Sequence, residues 1–337
     1  MTAKSIFLPL CVAVCSALTA PLFAQDASAA PDDHAATVQL IAVVNERSDP
    51  ARIGPYAMTA RVDFKSNSGA QKIGELRFYR DANRLRSEFQ LGGYREIQVR
   101  DGSKLYIARS QPIPPVWANP LALPDRLWKI DVPPHAKLSG IKIKKQGNIE
   151  VQCFSIRDPR RHDGETRYCV DAQNKSLLET STRFRTVRFS GFAGLGEGQL
   201  PTSIRIDEGD PKAHFAMRDV EIKQLIPQPE TFAAPEHARE FETCDNIEGG
   251  EFTHRVEPAY PRDLAQGNRP TATIFIYGTI DKDGSFTDVH VFSPEGPAFE
   301  REGREAAAQW RFSPGMCDGH AVAAEKDMMI TLSQSIR

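Results

Sequence analysis

Hydrophobic and polar positions alternate along most of this chain, and the changes of period divide it into elements. Residues 35–45 place Val38, Leu40, Ile41 and Val44 on or near one face of a helix, which Pro50 ends. From Gly54 the period becomes two. Runs over 56–64, 72–79, 84–91, 94–99 and 104–108 alternate, with turn signals at 67–69, 81–83, Gly92-Gly93 and Asp101-Gly102 between them. Short strands joined by tight turns predict an antiparallel meander. A proline-rich excursion over 112–124, carrying Trp117, interrupts it, and a short helix over 124–130 follows. Further strands are expected over 138–145, 149–157, 166–171, 177–186, 200–207 and 212–225. The glycine-rich stretch 191–198 lacks the dinucleotide-binding spacing and no helix follows it, so it reads as a loop.

A stretch rich in proline, alanine and charge, starting at Ile226 and reaching Cys244, reads as a linker. It divides a β domain, 35–229, from a smaller unit, 251–337, with 230–250 between them. In the second unit Pro261 is placed to start a short helix over 261–266, ended by Gly267-Asn268. A strand over 271–280 follows. It sets Ala272, Ile274, Ile276 and Ile280 on one face and Phe275 and Tyr277 on the other. Asp283-Gly284 turns it into a second strand over 285–292. A helix over 297–310 carries an apolar stripe of Phe299, Gly303, Ala306, Ala307 and Trp310, small enough in its middle to approach a sheet closely. After a turn at Asp318-Gly319, Met328, Ile330 and Leu332 alternate in a last strand over 327–332. The expected fold class is α+β: a large antiparallel curved sheet, or half-barrel, followed by a small three-stranded antiparallel sheet with two helices. A generic β-sandwich or barrel is the alternative for the larger domain.

Composition changes this picture little. Of 337 residues, 40% are apolar and 26% charged, enough for packed cores, and the net charge of −2 gives no case for nucleic acid. The start matters more. Lys4 precedes an apolar run over 6–20, and Leu22-Phe23-Ala24 offers a small-residue cleavage site, so 1–24 reads as a secretory signal and 25–34 as a flexible leader. A retained membrane anchor is the alternative; Pro9 and Pro21 and the marginal length speak against it. Export to the periplasm permits disulfides. Four cysteines remain after the signal, and Cys153 with Cys169 is the favoured pair because both lie in β-like runs joined by a polar turn. That leaves Cys244 with Cys317. No cysteine or histidine spacing suggests a metal site, and no cofactor is expected.

Catalytic motifs are missing from the sequence: there is no Gly-x-Ser-x-Gly elbow, no His-Glu-x-x-His, and no carboxylate pair singled out by spacing. Asp281 to Gly284 starts like a calcium loop, but its twelfth position is Phe292. No enzyme is expected, and an envelope enzyme with an unrecognised site stays as the remote alternative. Arg77, Arg80, Arg84, Arg86 and Arg95 read as solvated strand positions rather than an anion site. Phe78, Phe89 and Leu91 line either a lipid cavity or an ordinary core.

Two resemblances add to this. Tyr260-Pro261, the strand–Asp-Gly–strand unit, Trp310-Arg311-Phe312 with Pro314, and Asp318-Gly319 before Val322 occur in the order and spacing of the C-terminal domain of TonB-family energy transducers. The resemblance covers about a quarter of the chain. It implies a binding protein that docks an extended peptide of an outer-membrane TonB-dependent receptor, or of another envelope protein, on a sheet edge. Tyr260, Pro261, Asp327, Met329 and Thr331 are the expected peptide contacts. The block 35–229 resembles the LolA- and LppX-type lipoprotein-carrier fold, through Arg84-Leu85-Arg86 with Glu88, Val99 to Gly102, and Leu105-Tyr106. That implies, as the alternative function, a periplasmic carrier with an acyl-chain ligand. A folded β domain here stands where transducers have a proline-rich spacer.

Overall fold

The computed structural model describes residues 32–333 apart from 67, 116–123, 160–163, 209, 245–246 and 262–270. The signal reading of 1–24, most of the leader, Trp117 and the helix expected over 261–266 therefore lie outside the described residues. Among the described residues, no helix is long and apolar enough to cross a membrane.

The described residues open with helices α1 (Asp32–Arg47) and α2 (Pro50–Ile53), the latter capped by the Asp49 carboxylate, which accepts from the Ala51 amide at 2.9 Å. The first meander follows as β1 (Tyr56–Lys65), β2 (Gln71–Asp81), β3 (Arg84–Leu91), β4 (Tyr94–Asp101) and β5 (Lys104–Arg109). After a 3-10 turn at Pro124–Arg126 comes a second series: β6 (Lys137–Leu138), β7 (Lys142–Gln146), β8 (Ile149–Arg157), β9 (Glu165–Asp171), β10 (Leu177–Ser181), β11 (Arg185–Leu195), β12 (Gly198–Glu208) and β13 (Asp210–Gln224). β13 returns to pair antiparallel with β1, which joins the two series into one 14-stranded sheet. Leu40, Ile41 and Val44 of α1 lie in one core with the inward residues of both series. The Asn45 amide fixes α1 by bonding both backbone groups of Ile130 at 2.9 Å.

Several readings need correction: 138–145 holds two strands, β6 and β7; 177–186 covers β10 and the start of β11; and the helix expected over 124–130 is only the 3-10 turn at Pro124–Arg126. The glycine-rich stretch 191–198 is not a loop: β11 runs through it to Leu195, and only the Gly196-Glu197 tip turns. Its glycines serve contact, since a Cβ on Gly198 would stand 2.3 Å from the Arg47 carbonyl oxygen and one on Gly196 2.7 Å from that of Arg52. The stretch 230–250 is a packed connection rather than a bare spacer. Phe232 and Phe241 are buried, and β14 (Arg239–Glu242) pairs with β5 as the edge strand of the large sheet.

The last part holds β15 (Phe252–His254), β16 (Thr271–Ile280), β17 (Phe286–Phe292), α3 (Pro297–Ala307), β18 (Arg311–Phe312), β19 (Gly315–Cys317), β20 (His320–Val322) and β21 (Ala324–Ser333). The three-stranded sheet has the order β17-β16-β21, all antiparallel. Both expected disulfides are formed: Cys153–Cys169 joins β8 to β9, and Cys244–Cys317 ties the end of β14 to β19. The fold is α+β and mostly β.

Candidate functional site

The smaller sheet has one filled face. Ala272, Ile274, Ile276 and Ile280 of β16 are buried with Ile330 and Leu332 of β21 beneath α3. The helix sits close because Gly303 faces the sheet; a Cβ there would lie 2.9 Å from Ile274 Cγ2 and from Val291 Cγ1. Trp310 is fully buried, and its indole N–H donates to the Val256 carbonyl at 2.7 Å. At the hairpin tip only Gly284 has a positive φ, 80°, and a Cβ on it would stand 2.1 Å from the Phe312 carbonyl oxygen. The Asp283 carboxylate instead accepts from the Ser285 amide, at 2.9 Å.

The pleat sends alternate side chains to the opposite face, and there the pairing aligns them in rows across the strands. Phe275 pairs with Phe292 on one side and Met329 on the other; Tyr277 pairs with His290 and Asp327. The rings of Phe275 and Phe292 stack with centroids 6.2 Å apart. Phe292 is 50% exposed and Met329 66%. Asp327 and Thr331 are exposed on the same face. β21 is also an edge: among the described residues no strand pairs with its outer side. Over 10 residues it matches β16 with no break in register. Such an edge presents a row of unpaired backbone N–H and C=O groups to any extended chain.

The large domain grips one end of this face. Arg109, the last residue of β5, shares a ladder position with Glu96 of β4, on the face that also carries Phe89. Its Nε donates to Glu96 at 2.6 Å, and its two terminal nitrogens donate to the two oxygens of Glu325 on β21 at 2.7 Å each. A further bond reaches the Tyr277 hydroxyl at 2.5 Å. The Arg109 side chain is 11% exposed and that of Glu96 2%. Burial works against the arginine's charge, but the bonds to Glu325 and the charges of Glu96 and Glu325 outweigh it and hold its pKa above the ordinary value. Tyr94 donates to Glu96, and both Tyr94 and Tyr277 have hydroxyls pushed well above the usual phenol range, by burial first and then by the neighbouring carboxylates. A second bridge runs from Arg239 of β14 to Asp288 and, at 2.8 Å, to the Thr279 hydroxyl. Lys282 reaches Glu242 at 2.9 Å.

Asp327, Met329 and Thr331 share one exposed face. Tyr260 and Pro261 are elsewhere: Tyr260 meets the Phe299 ring edge-on at 5.2 Å, on the helix side, and Pro261 is buried. Phe78, Phe89 and Leu91 are 0–2% exposed in the core that α1 covers. Of the arginines in the meander, Arg80 pairs with Asp125, Arg84 with Asp81 and Arg86 with Glu88. Among the described residues no three His, Cys, Asp or Glu side chains converge as a metal site would need. Sequence reasoning missed Arg109, Glu96 and Glu325. The available signal was Glu96, an acid on the inward side of an alternating strand between Tyr94 and Gln98.

Residues 256–331 match the family described as Gram-negative bacterial TonB protein C-terminal. A protein TonB of Pseudomonas aeruginosa is 37% identical over 73 residues, 21% of this chain and 21% of that protein. The chain therefore spans about a fifth of that relative's length. Among solved structures, a LolA superfamily protein from Nitrosomonas europaea aligns with a TM-score of 0.42 and 10% identity, over 58% of this chain and 96% of its own. A DUF1329 family protein from Desulfovibrio piger aligns with a TM-score of 0.44 and 9% identity, over 59% and 96%.

Proposed function

We propose that this is a binding protein of the Gram-negative envelope that docks an extended segment of an outer-membrane receptor, or of another envelope partner, on β21. The observation that carries this reading is the edge itself: ten residues long, unbroken in register, and unpaired on its outer side among the described residues. Strand addition draws affinity from the backbone and selectivity from alternate side chains. The TonB-like match over 256–331 supports the same place in the molecule. The role is binding rather than catalysis, in the periplasm, and the large domain positions the docking domain instead of spacing it. The buried Arg109 bridge and the Cys244–Cys317 link favour a fixed arrangement of the two.

The test is hydrogen exchange on the intact, oxidised chain with synthetic peptides taken from the N-terminal segments of outer-membrane receptors. Slowed exchange across 324–333 is the expected result. Binding that slows exchange only in the large domain, with β21 unchanged, overturns the reading.

A further inference from the structure

The open face beside β21 has a chemical pattern, and that pattern selects among extended ligands. In a sheet, residues opposite one another on neighbouring strands touch, so each row ending at β21 continues into whatever strand is added there. One row runs Phe292–Phe275–Met329 and is apolar throughout. Both of its end residues are half or more exposed. The next row on the same face runs His290–Tyr277–Asp327 and ends in a carboxylate.

The Asp327 side chain is exposed and has no ion pair or hydrogen bond among the described residues. Arg109, the buried cation at this end of the face, is already shared between Glu96 and Glu325. His290 lies at the far end of Asp327's own row and bonds Asp288 at 3.2 Å. At the end of the face held by the large domain, Arg109 is taken up by Glu96 and Glu325 and Asp327 adds a carboxylate without a side-chain partner, while the middle of the face is apolar.

Resting on the docking reading, we infer that the partner segment carries a basic side chain beside Asp327 and an apolar side chain beside Met329, two residues apart. The spacing follows from the pleat, which returns to the same face every second residue. Arg109 already occupies the Glu325 carboxylate. The face available to the ligand then begins at Asp327 and includes Met329 and Thr331.

The experiment uses the full, disulfide-bonded chain and fluorescent eight-residue peptides of Ser and Thr holding one Lys and one Val two positions apart. Both orders are made, because an added strand can run either way. Control peptides carry Glu for Lys, or Ser for Val. Anisotropy titrations at low salt give affinities, and hydrogen exchange at 324–333 reports where the peptide lies. The Lys–Val peptide in one order is expected to bind about threefold more tightly than either control, the scale of a single cross-strand pair. Asp327→Lys is expected to invert the Lys-over-Glu preference while leaving the Val-over-Ser preference in place. Peptides that protect β21 but bind alike whatever their charge, or a preference that Asp327→Lys leaves unchanged, overturn this inference and leave strand docking standing. If no peptide of the set protects β21, both fall.

Discussion

The two larger sheets among the described residues treat their edges in opposite ways. The large sheet ends on one side in β6 and β7, strands of 2 and 5 residues. β7 is exposed throughout and carries Lys142, Lys144 and Lys145. On its other side it ends in β14, only 4 residues long and followed by a disulfide. Short strands and edge lysines are devices against unwanted pairing. In the small sheet, β17 is broken by a bulge where Asp288 takes a φ of 49°. Beyond Lys326, near its start, β21 has no such guard. It is long and regular, and its exposed face shows Asp327, Met329 and Thr331 without a lysine. Of the four edges of these two sheets among the described residues, three are guarded by length, charge or bulge, and β21 is the long, regular one. That difference is what the proposed docking on β21 rests on.

The largest expected effect comes from breaking the bridge between the two sheets. Arg109→Ala would leave Glu96, with a side chain 2% exposed, as a buried uncompensated charge. Removing one partner of such a pair costs about 3–5 kcal/mol. Urea unfolding of the full chain measures it, and adding Glu96→Gln should recover part of the loss. A loss under about 1 kcal/mol would mean that the bridge is dispensable. Next comes Gly303→Leu, which forces a side chain between Ile274 and Val291, both β-branched and stiff. Overpacking of this kind costs about 1–3 kcal/mol. If Gly303→Leu is neutral, the helix does not press on the sheet as closely as its Cβ distances require.

These sites also mark how far the sequence could be read. Period-two alternation and turn residues placed most strands within a residue or two, because a half-buried strand must alternate. The Cys153–Cys169 pair followed from strand adjacency, and Cys244 with Cys317 was what remained. The loop reading of 191–198 failed since glycine there answers a close backbone approach from α1 and α2, which composition cannot distinguish from a turn. The exposed triplet Asp327, Met329 and Thr331 was legible from alternation within one strand. Tyr260 fell on the other side of the sheet, where Phe299 receives it. The Arg109 bridge was out of reach, since it joins residues 216 positions apart through a docking of domains that no local pattern encodes.

A smaller effect should appear in alkali. Tyr94 and Tyr277 titrate higher in the folded chain than the ordinary 10.0, burial being the main cause. Below pH 10 both states keep these protons, so this contribution is fully present there. As pH rises past 10, the unfolded chain releases them and the folded chain does not, and stability falls. The slope is about 1.4 kcal/mol per pH unit for each tyrosine. Tyr277→Phe should make the fall between pH 10 and 11 shallower by about that amount, read from urea midpoints. An unchanged slope would place the Tyr277 hydroxyl in water.

The smallest effect on stability should carry the sharpest consequence for binding. Met329→Lys gives β21 the guard that β7 already has. Met329 is 66% exposed, so the change should alter unfolding free energy by no more than about 0.5 kcal/mol. Its backbone is untouched, and the row from Phe292 through Phe275 stays stacked. A partner strand would nonetheless meet an ammonium group where the apolar row ended. Bringing that charge beneath an apolar side chain strips part of its hydration. Peptide affinity is expected to drop severalfold while thermal stability holds, and Lys142→Met on β7 should create no new binding, because that strand is short and its neighbour β6 is shorter still. If Lys142→Met does confer binding, charge alone separates the two edges. If Met329→Lys leaves affinity intact, length and register are what keep β21 open, and side-chain guards matter less in this protein than strand geometry.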